Sequence, residues 1–197
     1  MFGIVNSAIR DHVLACYGET TWSKVLLKSL ASPDDFVSME RYSDEVTVSL
    51  LTACAEETGV AMEQTLEDIG QFWAEFLIKS DYGSLVQAAG KDLPDVLYSL
   101  DSLHTRLGLA FSEMKPPSFW CTQAAEELIR DLEPGYSALV LHYISERDGL
   151  APMVKGIVLG LGRMLATDCR IEQIAFKHNG TEHDSFLVIY DTEVSNG

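Results

Sequence analysis

Three observations predict an α+β fold for this chain. Before Pro116-Pro117, apolar residues recur at spacings of three and four, the pattern of amphipathic helices. After it, Val140, His142 and Ile144 alternate with Leu141, Tyr143 and Ser145, the period of a strand. The tail CRIEQIAFKHNGTEHDSFLVIY then sets two strand-like runs around Asn179-Gly180, a strong hairpin signal. A length of 197 residues suits one domain, or one domain with two lobes, with core enough to fold without staples.

In GIVNSAIRDHVLACY, residues 3–17, Ile4 or Val5, Ala8, Ile9, Val13 and Cys16 or Tyr17 share one helical stripe, and Gly18 is expected to stop it. Thr20 or Thr21 is expected to cap a second short helix, TWSKVLLKSL, and Ser32-Pro33-Asp34-Asp35 reads as a turn. In SDEVTVSLLTACAEETG, Ser43 is the cap, acids fill the first turn and Gly59 ends the helix. In AMEQTLEDIGQFWAEFLIKS, Leu66, Ile69, Trp73, Phe76 and Leu77 recur at three and four, so Trp73 faces a core or a pocket. YGSLVQAAG makes one more short helix.

The stretch LPDVLYSLDSLHTRLG is the best punctuated. Asp92 caps it, Pro94 sits in the first turn where a missing N–H costs little, and Gly108 offers an exit. Leu97, Leu100, His104 and Leu107 form one stripe, so His104 should point inward. Beyond Pro117, SFWCTQ reads as an edge strand, and AAEELIRDLEPGYS, within an excursion over 122–138, as a helical detour or extended loop. The strand from Leu139 exits at Arg147 and Asp148-Gly149. Ala151-Pro152 starts a last helix, PMVKGIVLGLGRMLATD. Its Gly156, Gly160 and Gly162 follow no strand directly and precede no G-K-[ST], so close helix packing explains them better than a nucleotide loop.

Composition excludes several classes. No apolar run reaches the ~20 residues a membrane span needs, and MFGIVNSAIRDHV carries Arg10 and Asp11 where a signal peptide would be apolar, so a cytoplasmic protein is expected. Thirty acidic against fourteen basic residues give a formal charge of −16, which argues against a nucleic-acid partner and favours a basic patch on any protein partner. Cys16, Cys54, Cys121 and Cys169 form no CxxC pair, and reduced thiols are the default.

Two arrays carry chemistry. An imidazole among leucines either satisfies its ring nitrogens on a backbone carbonyl, as a core residue, or serves as a neutral ligand to a metal, a haem iron included. In an extended segment Tyr143, Ser145 and Arg147 leave from one face, and a phenol, a hydroxyl and a guanidinium so aligned form a donor array for paired carboxylates such as haem propionates. His178, Glu182, His183 and Asp184 crowd the hairpin turn, where either solubility or a metal site accounts for them.

His104, the Pro116-Pro117 pair, PSFWC and the Tyr143-x-Ser145-x-Arg147 triplet within LHYISERDGL together resemble the haem nitric oxide/oxygen binding family, H-NOX. The likeness runs from Met1-Phe2-Gly3-Ile4-Val5-Asn6 to His183-Asp184-Ser185-Phe186. It implies a single domain over 1–197, with a helical distal lobe over about 1–60 and a proximal α/β lobe over about 61–197 holding an antiparallel sheet and the His104 helix. It also implies b-type haem (iron protoporphyrin IX), with His104 as the axial iron ligand and Tyr143, Ser145 and Arg147 on the propionates. Pro117 would distort the porphyrin, Leu100 would lie in the proximal pocket, and Val5, Ile9, Trp73 and Met153 in the distal pocket.

The function that follows from the resemblance is a gas sensor, not an enzyme. Family members that hold O₂ stably use a distal tyrosine, and Met153 and Trp73 fall at the matching positions; methionine has no proton to donate. Nitric oxide and CO are therefore the expected ligands, and stable O₂ binding is not expected. No kinase, cyclase or phosphodiesterase motif fits in the remaining sequence, and DTEVSNG reads as a free tail, so signalling is expected to run to a separate histidine kinase or cyclic-dinucleotide enzyme. The competing classes are a haem redox enzyme of peroxidase type, which needs a distal acid–base pair, and a haem-free regulatory module.

Overall fold

The computed structural model describes residues 1–32, 36–80, 83–111 and 113–192. The Ser32-Pro33-Asp34-Asp35 turn and the DTEVSNG tail therefore lie largely outside the described residues. Helix α1 spans Gly3–Lys28, where a stop at Gly18 is expected. Gly18 takes φ 80 and ψ 172, so the chain kinks there and resumes its helix at once. Neither Thr20 nor Thr21 caps the second half; the Thr21 hydroxyl instead donates back across the kink to the Tyr17 carbonyl at 3.0 Å.

Local punctuation works as the sequence implies at Ser43, Gly59 and Asp92. Helix α2, Asp44–Thr58, starts where the Ser43 hydroxyl accepts from the Glu45 N–H and ends at Gly59 in the left-handed region, φ 70. Helices α3, Met62–Lys79, and α4, Gly83–Gln87, follow. Helix α5, Leu93–Ala110, begins with the Asp92 carboxylate accepting from the Asp95 N–H at 2.8 Å. It runs past Gly108, because the Phe111 N–H still reaches the Leu107 carbonyl at 2.9 Å; Gly108 serves close approach to Pro116 rather than exit.

Strands β1, Ser118–Gln123, β2, Tyr136–Ile144, β3, Cys169–Ala175, and β4, Asp184–Asp191, form an antiparallel sheet in the order β1-β2-β4-β3. β1 lies at the edge, as SFWCTQ implies. Of the 122–138 excursion, residues 122–123 end β1 and 136–138 begin β2; between them runs an extended loop with one 3-10 turn at Glu126–Leu128, whose residues are all exposed, so no buried face supports a longer helix. Helix α6, Ala151–Met164, stops short of Asp168.

The β3–β4 connection is longer than a two-residue Asn-Gly turn. A 3-10 turn covers Lys177–Asn179 and Gly180 takes φ 92. The Asp184 carboxylate closes the loop from inside, accepting from the Lys177 N–H at 3.0 Å and the Gln173 amide at 2.8 Å. Asp184 thus serves the loop's own hydrogen bonds, and among the described residues no three His, Cys, Asp or Glu side chains converge there or elsewhere.

Apolar side chains gather in two cores. Ile9, Val13, Leu50, Leu66 and Ile69 join α1, α2 and the first half of α3. Leu97, Leu100, Leu141, Val158, Phe186 and Val188 join α5, α6 and the inner face of the sheet. Helices α3 and α6 touch backbone to backbone: a Cβ on Gly156 would sit 2.0 Å from the Glu67 carbonyl oxygen, and one on Gly70 2.3 Å from that of Met153. The close helix-packing account therefore holds for Gly156 and Gly160, whereas Gly162 faces Cys169 at the start of β3 and the Thr167 carbonyl before it. No helix among the described residues is long and apolar enough to cross a membrane.

Candidate functional site

A cavity of about 300 Å³ opens between the two cores. Its walls are apolar: Leu100, Leu103 and Leu107 from α5, Phe119 and Leu141 from the sheet, Trp73 and Leu77 from α3, Met153 and Ile157 from α6, Ile4 and Val5 from α1, and Phe2 just before it. That size and character suit a small-molecule or cofactor site. The α3–α6 glycine contact fixes the separation of two of its walls.

His104 reaches this cavity from α5 on the same stripe as Leu97 and Leu100. Its Nδ1 lies 2.7 Å from the Leu100 carbonyl oxygen. A carbonyl can only accept, so Nδ1 carries the proton and Nε2 keeps a lone pair. Among the described residues, Nε2 has no hydrogen-bond partner. Burial lowers the His104 pKa, opposed by the Leu100 contact and the charge of Asp101, so the ring is neutral at pH 7. Phe119 flanks it, ring centroids 5.1 Å apart, and Tyr143 lies 5.2 Å beyond Phe119.

Tyr143, Ser145 and Arg147 all line one end of the cavity, but not as one extended face. Strand β2 ends at Ile144, and the chain turns so that the Arg147 N–H donates to the Ser145 hydroxyl at 3.1 Å. Lys177 braces this turn, donating to the Ser145 carbonyl and the Asp148 carboxylate, each at 2.9 Å. The Arg147 guanidinium donates from Nε to Asp44 at 2.9 Å and from Nη1 to the Lys115 carbonyl at 3.2 Å. A weaker contact runs from Nη2 to Asp44 at 3.4 Å, so among the described residues two of the five guanidinium N–H groups have no partner. Burial raises the Asp44 pKa, but hydrogen bonds from the Met1 amino group and Arg147 outweigh it and hold the carboxyl below its usual range. Burial pushes the Tyr143 phenol up, so it stays a proton donor.

Leu100, Pro117, Val5, Trp73 and Met153 line the same cavity. Ile9 does not; it is fully buried in the helical core with Val13 and Leu50. The α1 stripe covers both a core and a cavity edge, and periodicity cannot divide the two. Sequence reasoning missed Asp44, which reads locally as a first-turn acid of α2, and Lys177; neither carries a local signal for a contact so far along the chain.

Haem asks three things of such a cavity: an uncharged imidazole nitrogen with a free lone pair, apolar walls for the ring, and donors at one rim for its carboxylates. The unpartnered His104 Nε2, the leucine and aromatic walls, and the Tyr143, Ser145 and Arg147 rim supply all three, and these residues fit the group.

Comparison with known proteins agrees. The Haem-NO-binding family model matches residues 2–173. Soluble guanylate cyclase gcy-31 of Caenorhabditis elegans is 29% identical over 180 residues, covering 91% of this chain and 24% of that protein. Soluble guanylate cyclase gcy-35 of the same organism is 31% identical over 170 residues, covering 84% and 23%. The chain thus spans about a quarter of the length of these relatives. An H-NOX protein from S. oneidensis, in the Fe(II) ligation state, shares the fold with a TM-score of 0.83 over 98% of this chain and 99% of that one, at 19% identity. With the family match running over most of its length and the fold shared, this chain belongs to the Haem-NO-binding family, the H-NOX haem-binding gas-sensor domains related to soluble guanylate cyclase.

Proposed function

We propose that this chain is a nitric oxide sensor that holds b-type haem through His104 and signals to a separate protein, a histidine kinase or a cyclic-dinucleotide enzyme. The observation that carries the reading is the neutral His104 ring, proton fixed on Nδ1 by Leu100 and Nε2 free at the wall of an apolar cavity. When bound, haem supplies an iron that takes a diatomic gas. Haemin added to the purified chain should give an intense Soret band; a chain that takes up no haemin would leave the haem-free regulatory reading.

On this reading, Tyr143, Ser145 and Arg147 would hold the propionates, and Leu100 and Pro117, which line the same cavity, would pack against the porphyrin. The residues to about 60 form the distal lobe and those from about 61 the proximal lobe. Arg147 has two N–H groups to offer a propionate while keeping Asp44. A charge-assisted hydrogen bond contributes roughly twice a neutral one. Arg147→Ala should therefore speed haem loss about tenfold or more and Ser145→Ala only severalfold, for losses of about 1.5–3 and ~1 kcal/mol. Transfer of haem to excess apomyoglobin measures both rates, and equal rates would contradict the assignment.

The α1, α3 and α6 side of the cavity decides which gas is held. Val5 and Met153 have no proton to donate, and Trp73 stacks on Phe76 with ring centroids 5.9 Å apart. Among the described residues this side contributes no acid–base pair, which supports a sensor over a peroxidase-type enzyme. A partly anionic O₂ ligand here lacks a hydrogen bond on the order of 1.5–3 kcal/mol, about tenfold to a hundredfold in affinity, while NO and CO lose less. The ferrous protein in air-saturated buffer should keep its unliganded spectrum and shift on adding NO or CO. A persistent shift in air would overturn this and point to the Trp73 indole N–H as donor.

A further inference from the structure

The face of the sheet turned away from the cavity carries a cluster with no part in the site above. His142 lies between Leu141 and Tyr143 on β2, so alternation sends it outward where they point in. Its cross-strand partners are Trp120 on β1 and Ser185 on β4. The Nδ1 of His142 lies 3.1 Å from Nε2 of His183 and 2.9 Å from the Ser185 hydroxyl, and its Nε2 lies 2.9 Å from the Thr122 hydroxyl. Trp120 stacks on the His142 ring, centroids 4.9 Å apart and planes at 15°, and meets His183 edge-on at 4.7 Å.

Two imidazole nitrogens facing each other at 3.1 Å are set as cis ligands of one ion. With metal–nitrogen bonds of about 2.05 Å, two nitrogens are about 2.9 Å apart at a right angle and about 3.4 Å apart at the tetrahedral angle. The observed separation falls between. Thr122 supplies the outer contact that orients a metal-bound imidazole: an Nε2–H donated to its hydroxyl leaves the His142 Nδ1 lone pair for the ion. Both rings are only partly buried, so water can complete the shell, and the charge of −16 raises the local concentration of cations.

We propose that His142 Nδ1 and His183 Nε2, with the Ser185 hydroxyl as a third donor, form a site for one exchangeable borderline divalent cation, Zn²⁺ or Cu²⁺. Two nitrogens, an oxygen and water suit such ions over Ca²⁺ or Mg²⁺, which prefer all-oxygen shells. Without metal, the short contact is an N–H···N hydrogen bond. On binding, the His183 proton moves to the Nδ1 of its own ring and no redox step is involved. The site draws on β1, β2, β4 and the β3–β4 loop, so occupancy ties together the outer side of the strand that carries Tyr143.

The test is calorimetric titration of the full chain, as purified, with ZnCl₂ at neutral pH. One Zn²⁺ per chain should bind with the haem absorption unchanged, and His183→Ala, a loop substitution that spares the core, should weaken binding at least about tenfold. Thr122→Val should weaken it less, since both metal-binding nitrogens remain. Absence of saturable binding in the parent, or His183→Ala binding as tightly as the parent, would overturn the proposal and leave only a hydrogen-bonded histidine pair. Neither result depends on whether His104 binds iron.

Discussion

His104→Gly should remove haem from this chain unless imidazole is supplied in the buffer. Loss of an outer-shell partner alone lowers metal affinity on the order of 10–100-fold, so removing the ligand itself should lower haem affinity by more than about a hundredfold. The fold should survive, because glycine in the interior of α5 costs about 1 kcal/mol and His104 is only partly buried. Far-ultraviolet circular dichroism should be near parental while the Soret band is lost, and added imidazole should restore it. An unchanged ferrous spectrum in the variant would sink the assignment of His104.

The largest stability effect should come from Gly156→Leu. Its Cβ would meet the Glu67 carbonyl oxygen at 2.0 Å and the Gln71 nitrogen at 2.9 Å, all backbone of α3, so no rotamer change relieves the clash. Helices α3 and α6 must separate. Overpacking of this kind costs about 3 kcal/mol, or a fall in Tm of roughly 6–12 °C for a chain of this size. Because the same helices present Trp73 and Met153 to the cavity, ligand affinity should change along with Tm. Gly18→Ala, with open space around it, should cost only the backbone strain of φ 80 and ψ 172, a region essentially reserved for glycine, on the order of 1–3 kcal/mol. Differential scanning calorimetry of the two variants checks the ranking, and an unchanged Tm for Gly156→Leu would refute the backbone contact.

Features legible in the sequence are those whose physics closes within a few residues. Ser43 and Asp92 cap their helices because a side-chain oxygen reaches an N–H two or three residues on, and Gly59 ends α2 because only glycine takes φ 70 without strain. His104 shares a face with Leu97 and Leu100 because helical geometry puts i, i+3 and i+7 on one line. That stripe alone turned the imidazole to the cavity. The strand alternation likewise set Leu141 and Tyr143 inward.

The tertiary structure decided what joins distant segments. Arg147 meets Asp44 across 103 positions, and Lys177 props the Ser145 turn across 32, through loop paths that no spacing encodes. The end of β2 at Ile144 was hidden because Ser145 and Arg147 continue the alternation while the Ser145 hydroxyl captures a backbone N–H and turns the chain. Ile9 and Val5 lie one turn apart on α1, yet one fills a core and the other faces the cavity; where α2 and α3 pack determines which. His183, which reads as part of a crowded turn, meets His142 instead, because the sheet register and the Asp184 closure of the loop carry its ring to a neighbouring strand. Amino-acid order thus determined the helices, the sheet and the inward face of His104 through local hydrogen bonds and side-chain period. Packing of elements far apart in the chain settled which charged and aromatic groups meet, since those contacts depend on where whole helices and strands come to rest.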